Sequence, residues 1–228
     1  GFSFFAEGAS IGILEILREK NIYSGHIVDL GCGSGILAKN MADNGYTITG
    51  VDLSQDMITL AKRKVPNVHF VTSSFYSIDI PPCKVVTATG ECFNYIFEDS
   101  YAMSIIKDLF GRIYNSLTTR GLFIFDFAMP GRVLSSKKNN WKQNNWEMEV
   151  EHHEDEHSKA LTRKIKLKVH TQNGVKEGQE IHQLQLFEKD ELKSILIEVG
   201  FIPTTQGNVL EIHIIDSGIG IEDKFQQL

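Results

Sequence analysis

The residues with the clearest capacity for chemistry are Val28-Asp29-Leu30-Gly31-Cys32-Gly33-Ser34-Gly35, where a short apolar run meets three closely spaced glycines and then a helical pattern. Glycine is needed where the backbone turns sharply or where a ligand touches main chain with no Cβ in the way. The start of the following helix offers unpaired N–H groups. The spacing G-x-G-x-G is not the G-x-G-x-x-G of dinucleotide-binding loops, and no Gly-Lys-Ser/Thr ending marks a phosphate loop. The loop therefore suits a ligand that needs main-chain contact but little phosphate cradling. Asp52 follows Gly35 by 17 positions and ends the run Ile48-Thr49-Gly50-Val51. An acid at such a strand tip can accept hydrogen bonds from both hydroxyls of a ribose. Alone, Asp52 also reads as a helix N-terminal acid; the glycine loop at this distance favours the ligand role.

Two other segments carry reactive types. Thr87-Ala88-Thr89-Gly90-Glu91-Cys92-Phe93-Asn94-Tyr95 runs off the end of a strand pattern, the edge at which open α/β sheets bind ligands. In Glu180-Ile181-His182-Gln183-Leu184-Gln185-Leu186, alternation puts Glu180 and His182 on the face of Leu184 and Leu186. An inward His near neutral pKa can take a proton from an amine or hydroxyl, although a lone His on an apolar face is more often a hydrogen-bonded core residue. The run His152-His153-Glu154-Asp155-Glu156-His157 reads as a solvated hairpin turn, because adjacent strand residues point to opposite faces. No metal site is expected. Cys32, Cys83 and Cys92 lack metal-ligand spacing and suit reduced thiols.

The elements that must hold these residues follow from periodicity. Helical patterns cover residues 3–20, 36–44, 55–64, 101–117 and 188–199, and strand patterns cover 26–30, 46–51, 68–72, 84–89 and 121–127. Ser54 is suited to cap the third helix and Pro66 forbids its continuation. Strands alternating with helices predict a parallel sheet. After Pro130 the pattern changes. Residues 135–145, rich in Lys and Asn, read as a mobile loop, and 146–152, 161–169 and 179–186 alternate as half-exposed antiparallel strands. The expectation is one domain over 1–228, with 141–187 an inserted β-meander capping the substrate.

Composition narrows the function classes. The chain has 228 residues, 42% hydrophobic and 23% charged, which is ordinary globular composition. A net charge of −6 gives no global field for nucleic acid or an anionic membrane. No apolar run reaches the roughly 18–20 residues that span a bilayer, and no basic-then-apolar leader pattern opens the sequence. A cytoplasmic protein without nucleic-acid or membrane partners is expected.

The stretch 27–57 resembles the cofactor half of class I S-adenosylmethionine-dependent methyltransferases, with Asp29-Leu30-Gly31-Cys32-Gly33-Ser34-Gly35 as the glycine motif and Val51-Asp52-Leu53-Ser54 as the acidic one. S-adenosylmethionine is a ligand without phosphates. The resemblance implies an α/β, doubly wound, mostly parallel seven-stranded Rossmann-like sheet. It also implies a transferase that moves a methyl group to a small-molecule acceptor through N or O. By the same resemblance Gly31, Cys32, Gly33 and Gly35 form the cofactor loop, and Asp29 orients the methionine amino group. Asp52 holds the ribose, and Leu53 and Met57 flank the adenine. Ser74 and Phe75 stand where many members carry an Asp for the adenine amino group and a backbone N–H for the ring. A serine accepts more weakly than a charged acceptor. Thr89, Gly90 and Glu91 are implied to pass near the methyl-bearing sulfur, with Asn94 and Tyr95 lining the acceptor pocket. Glu91, Tyr95 and His182 are the candidate catalytic residues. The absence of an Asn/Asp-Pro-Pro-Tyr/Phe signature argues against amide acceptors.

Two other readings stay open. A non-catalytic S-adenosylmethionine-binding scaffold is kept alive by Ser74 in place of Asp, and a nicotinamide-dependent oxidoreductase is disfavoured by the glycine spacing. The tail Ile215-Asp216-Ser217-Gly218-Ile219-Gly220-Ile221 resembles the Asp-x-Gly-x-Gly box of histidine-kinase-type ATP-binding domains, but no accompanying Asn motif is found upstream.

Overall fold

The computed structural model describes residues 3–96, 103–131, 133, 137–201 and 212–216. The chain forms two compact units, one from residues 1–93, 102–127 and 190–228 and the other from 94–101 and 128–189.

The first unit is built on a parallel sheet of β1 (His26–Leu30), β2 (Thr47–Asp52), β3 (His69–Thr72), β4 (Cys83–Ala88), β5 (Leu117–Phe127) and a last strand, Ile212–Asp216. Numbering that last strand β10, the order is β10-β5-β4-β1-β2-β3, with every pair parallel. The expected α/β parallel architecture is present. Among the described residues the sheet has six strands, and positions 217–228 lie outside them, including most of the Asp-x-Gly-x-Gly likeness. The strand order reverses between β1 and β4, so the chain leaves these neighbours in opposite directions and opens a crevice at their carboxyl ends. Both the glycine loop and the Thr89–Glu91 segment start there.

Local sequence explains the flanking helices α1 (Ser3–Glu19), α2 (Ile36–Asp43), α3 (Gln55–Lys64), α4 (Met103–Ser116) and α5 (Lys189–Glu198). In α3 the Ser54 hydroxyl accepts the Met57 N–H at 3.3 Å, Asp56 sits in the first turn, and Lys62, Arg63 and Lys64 sit in the last. These charges complement the helix dipole. Ile13, Leu17, Leu37, Met41, Ile58 and Phe70 are buried in one core. In a second set of rings, Phe93 meets Phe110, Phe123 and Phe125, and Phe110 meets Phe123, edge to face at centroid separations of 5.3–6.0 Å, while Phe123 and Phe125 stack at 4.6 Å, arrangements that aromatic quadrupoles favour.

The second unit is a four-stranded antiparallel sheet in the order β6 (Lys137–Gln143), β7 (Trp146–Asp155), β8 (Ala160–Thr171), β9 (Gly174–Gln185). The three alternating segments are present as strands. The predicted mobile loop at 135–145 is corrected: most of it is β6, paired with β7 from Lys137↔His152 to Gln143↔Trp146. Its sequence hides this because it carries one large apolar residue, Trp141, and ladder pairing rather than burial holds it. Lys138 and Lys142 reach Glu149 and Glu147 on one face of this sheet, and Lys168 reaches Glu177 there. On the other face Val150 and Ile165 are buried.

Candidate functional site

The glycine loop divides its glycines by task. A Cβ on Gly31 would collide with Cys92 Sγ, and one on Gly35 would stand 2.9 Å from Ala61 Cβ, so both permit close packing. A Cβ on Gly33 would meet nothing within 4 Å, so this position faces open space. Gly35 also caps α2 with φ 77° and no side-chain hydrogen bond, which leaves the helix N–H groups unclaimed by a cap. Cys32 turns its side chain into the core beside Leu37 and Phe70, and burial pushes its thiol far above the usual range. It offers the loop main chain, not a reactive sulfur.

Asp52 joins this loop to its own. Its Oδ2 accepts the Gly33 N–H at 2.8 Å and its Oδ1 accepts the Ser54 N–H at 2.8 Å. Each carboxylate oxygen keeps a lone pair for a further donor. Leu53 and Met57, beside it, are exposed despite being apolar, and exposed apolar side chains at a site suit a flat aromatic ligand.

Asp29 is 2% exposed, and its Oδ1 accepts the Thr87 hydroxyl proton across the β1–β4 pair at 2.8 Å. Its Oδ2 is buried with no hydrogen-bond partner. Burial raises its pKa to about 7, the Thr87 bond opposes the rise, and the charge of Asp52 adds to it. A buried carboxylate oxygen without a partner is costly, and a cationic ligand group is what would relieve it.

The segment after β4 is held by a residue that sequence reading missed. Asp126, near the end of β5, accepts the Gly90 N–H at 3.1 Å and the Glu91 N–H at 2.7 Å. Gly90 and Glu91 both have positive φ, 89° and 60°. Glu91 is 6% exposed, so this acid is withdrawn from solvent. Burial lifts Asp126 to about 6 against the pull of the Gly90 bond. Thr89 is partly buried and Gly90 faces open space.

After β3 the Ser74 hydroxyl accepts the Tyr76 N–H at 3.2 Å, and the Ser74 carbonyl accepts from Ser77 and Ile78. Phe75 is buried edge-on to Phe93 at 5.7 Å.

Tyr95 and His182 belong to the second unit, where their rings meet edge to face at 5.4 Å. His182 Nε2 lies 3.1 Å from Glu180 Oε2, and its Nδ1 is buried without a hydrogen bond. Arg163, opposite His182 in the ladder, donates to Tyr95 Oη at 3.4 Å and to His152 Nε2 at 3.3 Å. Asn94 does not fit the pocket-lining role. It is fully buried, its amide donates to the carbonyls of Ala128 and Gln185, and its oxygen accepts the Ala128 N–H. These bonds use its polar atoms as a clasp within the second unit. In the His152–His157 run, Asp155 Oδ1 accepts from His157 and Ser158, as a turn requires. Among the described residues no cluster could hold a metal, and no helix is long and apolar enough to cross a membrane.

Residues 27–120 match the methyltransferase domain family. A protein of Geobacillus sp. (strain WCH70) named as a methyltransferase is 35% identical over 106 residues, covering 44% of this chain and 41% of that protein. The chain thus spans under half the length of that relative. An S-adenosylmethionine-dependent methyltransferase from Clostridium acetobutylicum superposes with TM-score 0.73 at 21% identity, covering 91% of this chain and 85% of that one. An amino pentose methyltransferase from Micromonospora echinaspora, solved with S-adenosylmethionine bound, gives 0.72 at 14% identity over 86% and 83%. Residues 27–120 of this chain are thus similar to the methyltransferase domain family, and the chain has the fold of S-adenosylmethionine-dependent methyltransferases.

Proposed function

We propose that the protein is an S-adenosylmethionine-dependent methyltransferase acting on the nitrogen or oxygen of a small molecule. The observation that carries this reading is the pairing of two carboxylates around one glycine loop. Asp52 ties Gly33 to Ser54, while the Asp29 oxygen stays buried and unpartnered. Such a site fits a ligand with ribose hydroxyls at one end and an ammonium at the other. Asp52 would hold the ribose, Asp29 the amino group, Leu53 and Met57 the faces of the base, and Ser74 and Phe75 its edge. Gly31, Cys32, Gly33 and Gly35 shape the loop, and Thr89 and Gly90 line the reacting end.

S-adenosylmethionine supplies a methyl group on a sulfonium, and transfer from it is an in-line displacement that needs alignment more than acid–base help. The chain's contribution is to orient the two reactants and exclude water. Glu91, Tyr95 and His182 are the proposed proton-handling groups. A small-molecule acceptor accords with the amino pentose methyltransferase among the fold neighbours.

Thermal unfolding with and without S-adenosylmethionine tests the reading. Ligand at about a hundredfold over its dissociation constant adds roughly 2.7 kcal/mol, a rise of about 5–10 °C for a chain of this size. The rise should vanish in Asp52→Ala. A rise with NAD and none with S-adenosylmethionine would overturn it. Binding without turnover of any amine or hydroxyl acceptor would favour the scaffold reading.

A further inference from the structure

Arg112 lies in the middle of α4, between the buried Phe110 and Ile113, and among the described residues it donates to no carboxylate. Its guanidinium gathers three backbone carbonyls from one short segment: Ile78 at 2.5 Å, Tyr76 at 2.7 Å and Phe75 at 3.4 Å. The same segment has its N–H groups answered from the other side. Tyr76 donates to the Ser74 hydroxyl, and Ser77 and Ile78 donate to the Ser74 carbonyl. Residues 74–78 are thus a turn closed at one end by Ser74 and at the other by a cation. The Ser74 and Phe75 N–H groups are the exceptions, since no described residue accepts from either, and of the two only Phe75 belongs to a residue whose carbonyl Arg112 holds.

The Phe75 N–H is therefore the free donor inside the span that Arg112 holds. A main-chain donor left over in a turn pinned on both sides is a preformed donor for a ligand acceptor, and its aim is set by whatever fixes the turn. Arginine suits the task because its planar fork presents several donors in fixed geometry, and lysine does not reproduce that fork. We propose that Arg112 is a positioning residue for base recognition, holding the Phe75–Ile78 turn so that the Phe75 N–H meets the ring-nitrogen acceptor of an adenine. The proposal rests on the cofactor reading above. It makes the choice of base depend on a residue that does not touch the base. An adenine presents an unprotonated ring nitrogen to such a donor, whereas hypoxanthine carries a proton there and opposes it.

The test is calorimetric titration of the wild type, Arg112→Met and Arg112→Lys with S-adenosylhomocysteine and with its inosine counterpart. Hydrogen exchange of the Ser77 and Ile78 amides is followed in the ligand-free proteins. A site that hydrogen-bonds one base form penalises the other strongly, so the wild type should prefer the adenine ligand by about tenfold or more. In Arg112→Met that preference should collapse toward equality, with faster exchange of both amides. Arg112→Lys should fall between, and it serves as the test should the Met variant fail to fold. Equal losses for both ligands, or an unchanged preference in the Lys variant, would show that Arg112 only supports the fold. If the wild type binds neither ligand, the cofactor reading fails first, and the inference falls with it.

Discussion

Asp126 accepts the Glu91 N–H at 2.7 Å while Glu91 holds a φ of 60°. A carboxylate on one strand therefore secures a non-glycine residue in a backbone region that L side chains seldom occupy. The left-handed conformation costs roughly 1–2 kcal/mol for such a residue, and the charge-assisted bond is what offsets it.

Substituting Asp126→Asn should expose that dependence. The amide can still accept one N–H, but its own NH2 then confronts the other. Loss of about 1–3 kcal/mol in urea unfolding is expected, with faster hydrogen exchange of the Glu91 amide. A change under about 0.5 kcal/mol with unaltered exchange would mean that the segment holds its shape without Asp126.

Asp29 sets a pH dependence whose sign can be worked out. Its pKa is raised from 3.8 to about 7, so between those values the folded protein keeps a proton that the unfolded chain releases. Stability from this group is full below about pH 4 and is lost as the pH rises through 7. At about 1.4 kcal/mol per unit, the ionised form costs the unliganded fold up to about 4 kcal/mol. Asp29→Asn should therefore be more stable than the wild type at pH 8, by a margin that shrinks as the pH falls to 4, while it loses S-adenosylmethionine binding. A cationic ligand group favours the ionised carboxylate, so binding by the wild type should release protons below pH 7, measurable by calorimetry in buffers of different ionisation heat. Unchanged stability and no proton release would remove Asp29 from the site.

Gly31 and Cys92 are predicted to be coupled. Gly31→Ala places a Cβ against the Cys92 sulfur in a backbone with φ 74°, so overpacking and conformational strain add to about 2–4 kcal/mol. Adding Cys92→Ala removes the sulfur and should restore about 1 kcal/mol or more, a non-additivity read by a double-mutant cycle. Additive losses would mean that the sulfur does not crowd this position. Gly33→Ala, which meets open space, should cost only the conformational strain, yet it should weaken S-adenosylmethionine binding.

The glycine loop and the acid after it were legible because their signals are local. A strand, a sharp turn and a helix start lie within a few residues, and Asp52 is carried by the next strand of the same βαβ run. Ser54 capping α3 is equally local. The β6 strand was not legible, because Lys137–Gln143 lacks the alternation that marks a half-buried strand. Asn94 was read as a pocket residue from its place after β4, whereas its partners lie 34 and 91 residues away.

By itself, then, the sequence determined the α/β class, most helix and strand boundaries to within a few residues, and a glycine loop followed by an acid at the tip of the next strand. These depend on backbone conformation and periodicity over short spans. Only the tertiary structure decided that Asp126 clamps Gly90 and Glu91, that Arg112 closes the 74–78 turn, and that Asp29 keeps a buried oxygen without a partner. Each depends on residues about 35 or more positions apart meeting in space, or on burial that leaves a group no water. Neither condition has a signature in the neighbouring residues.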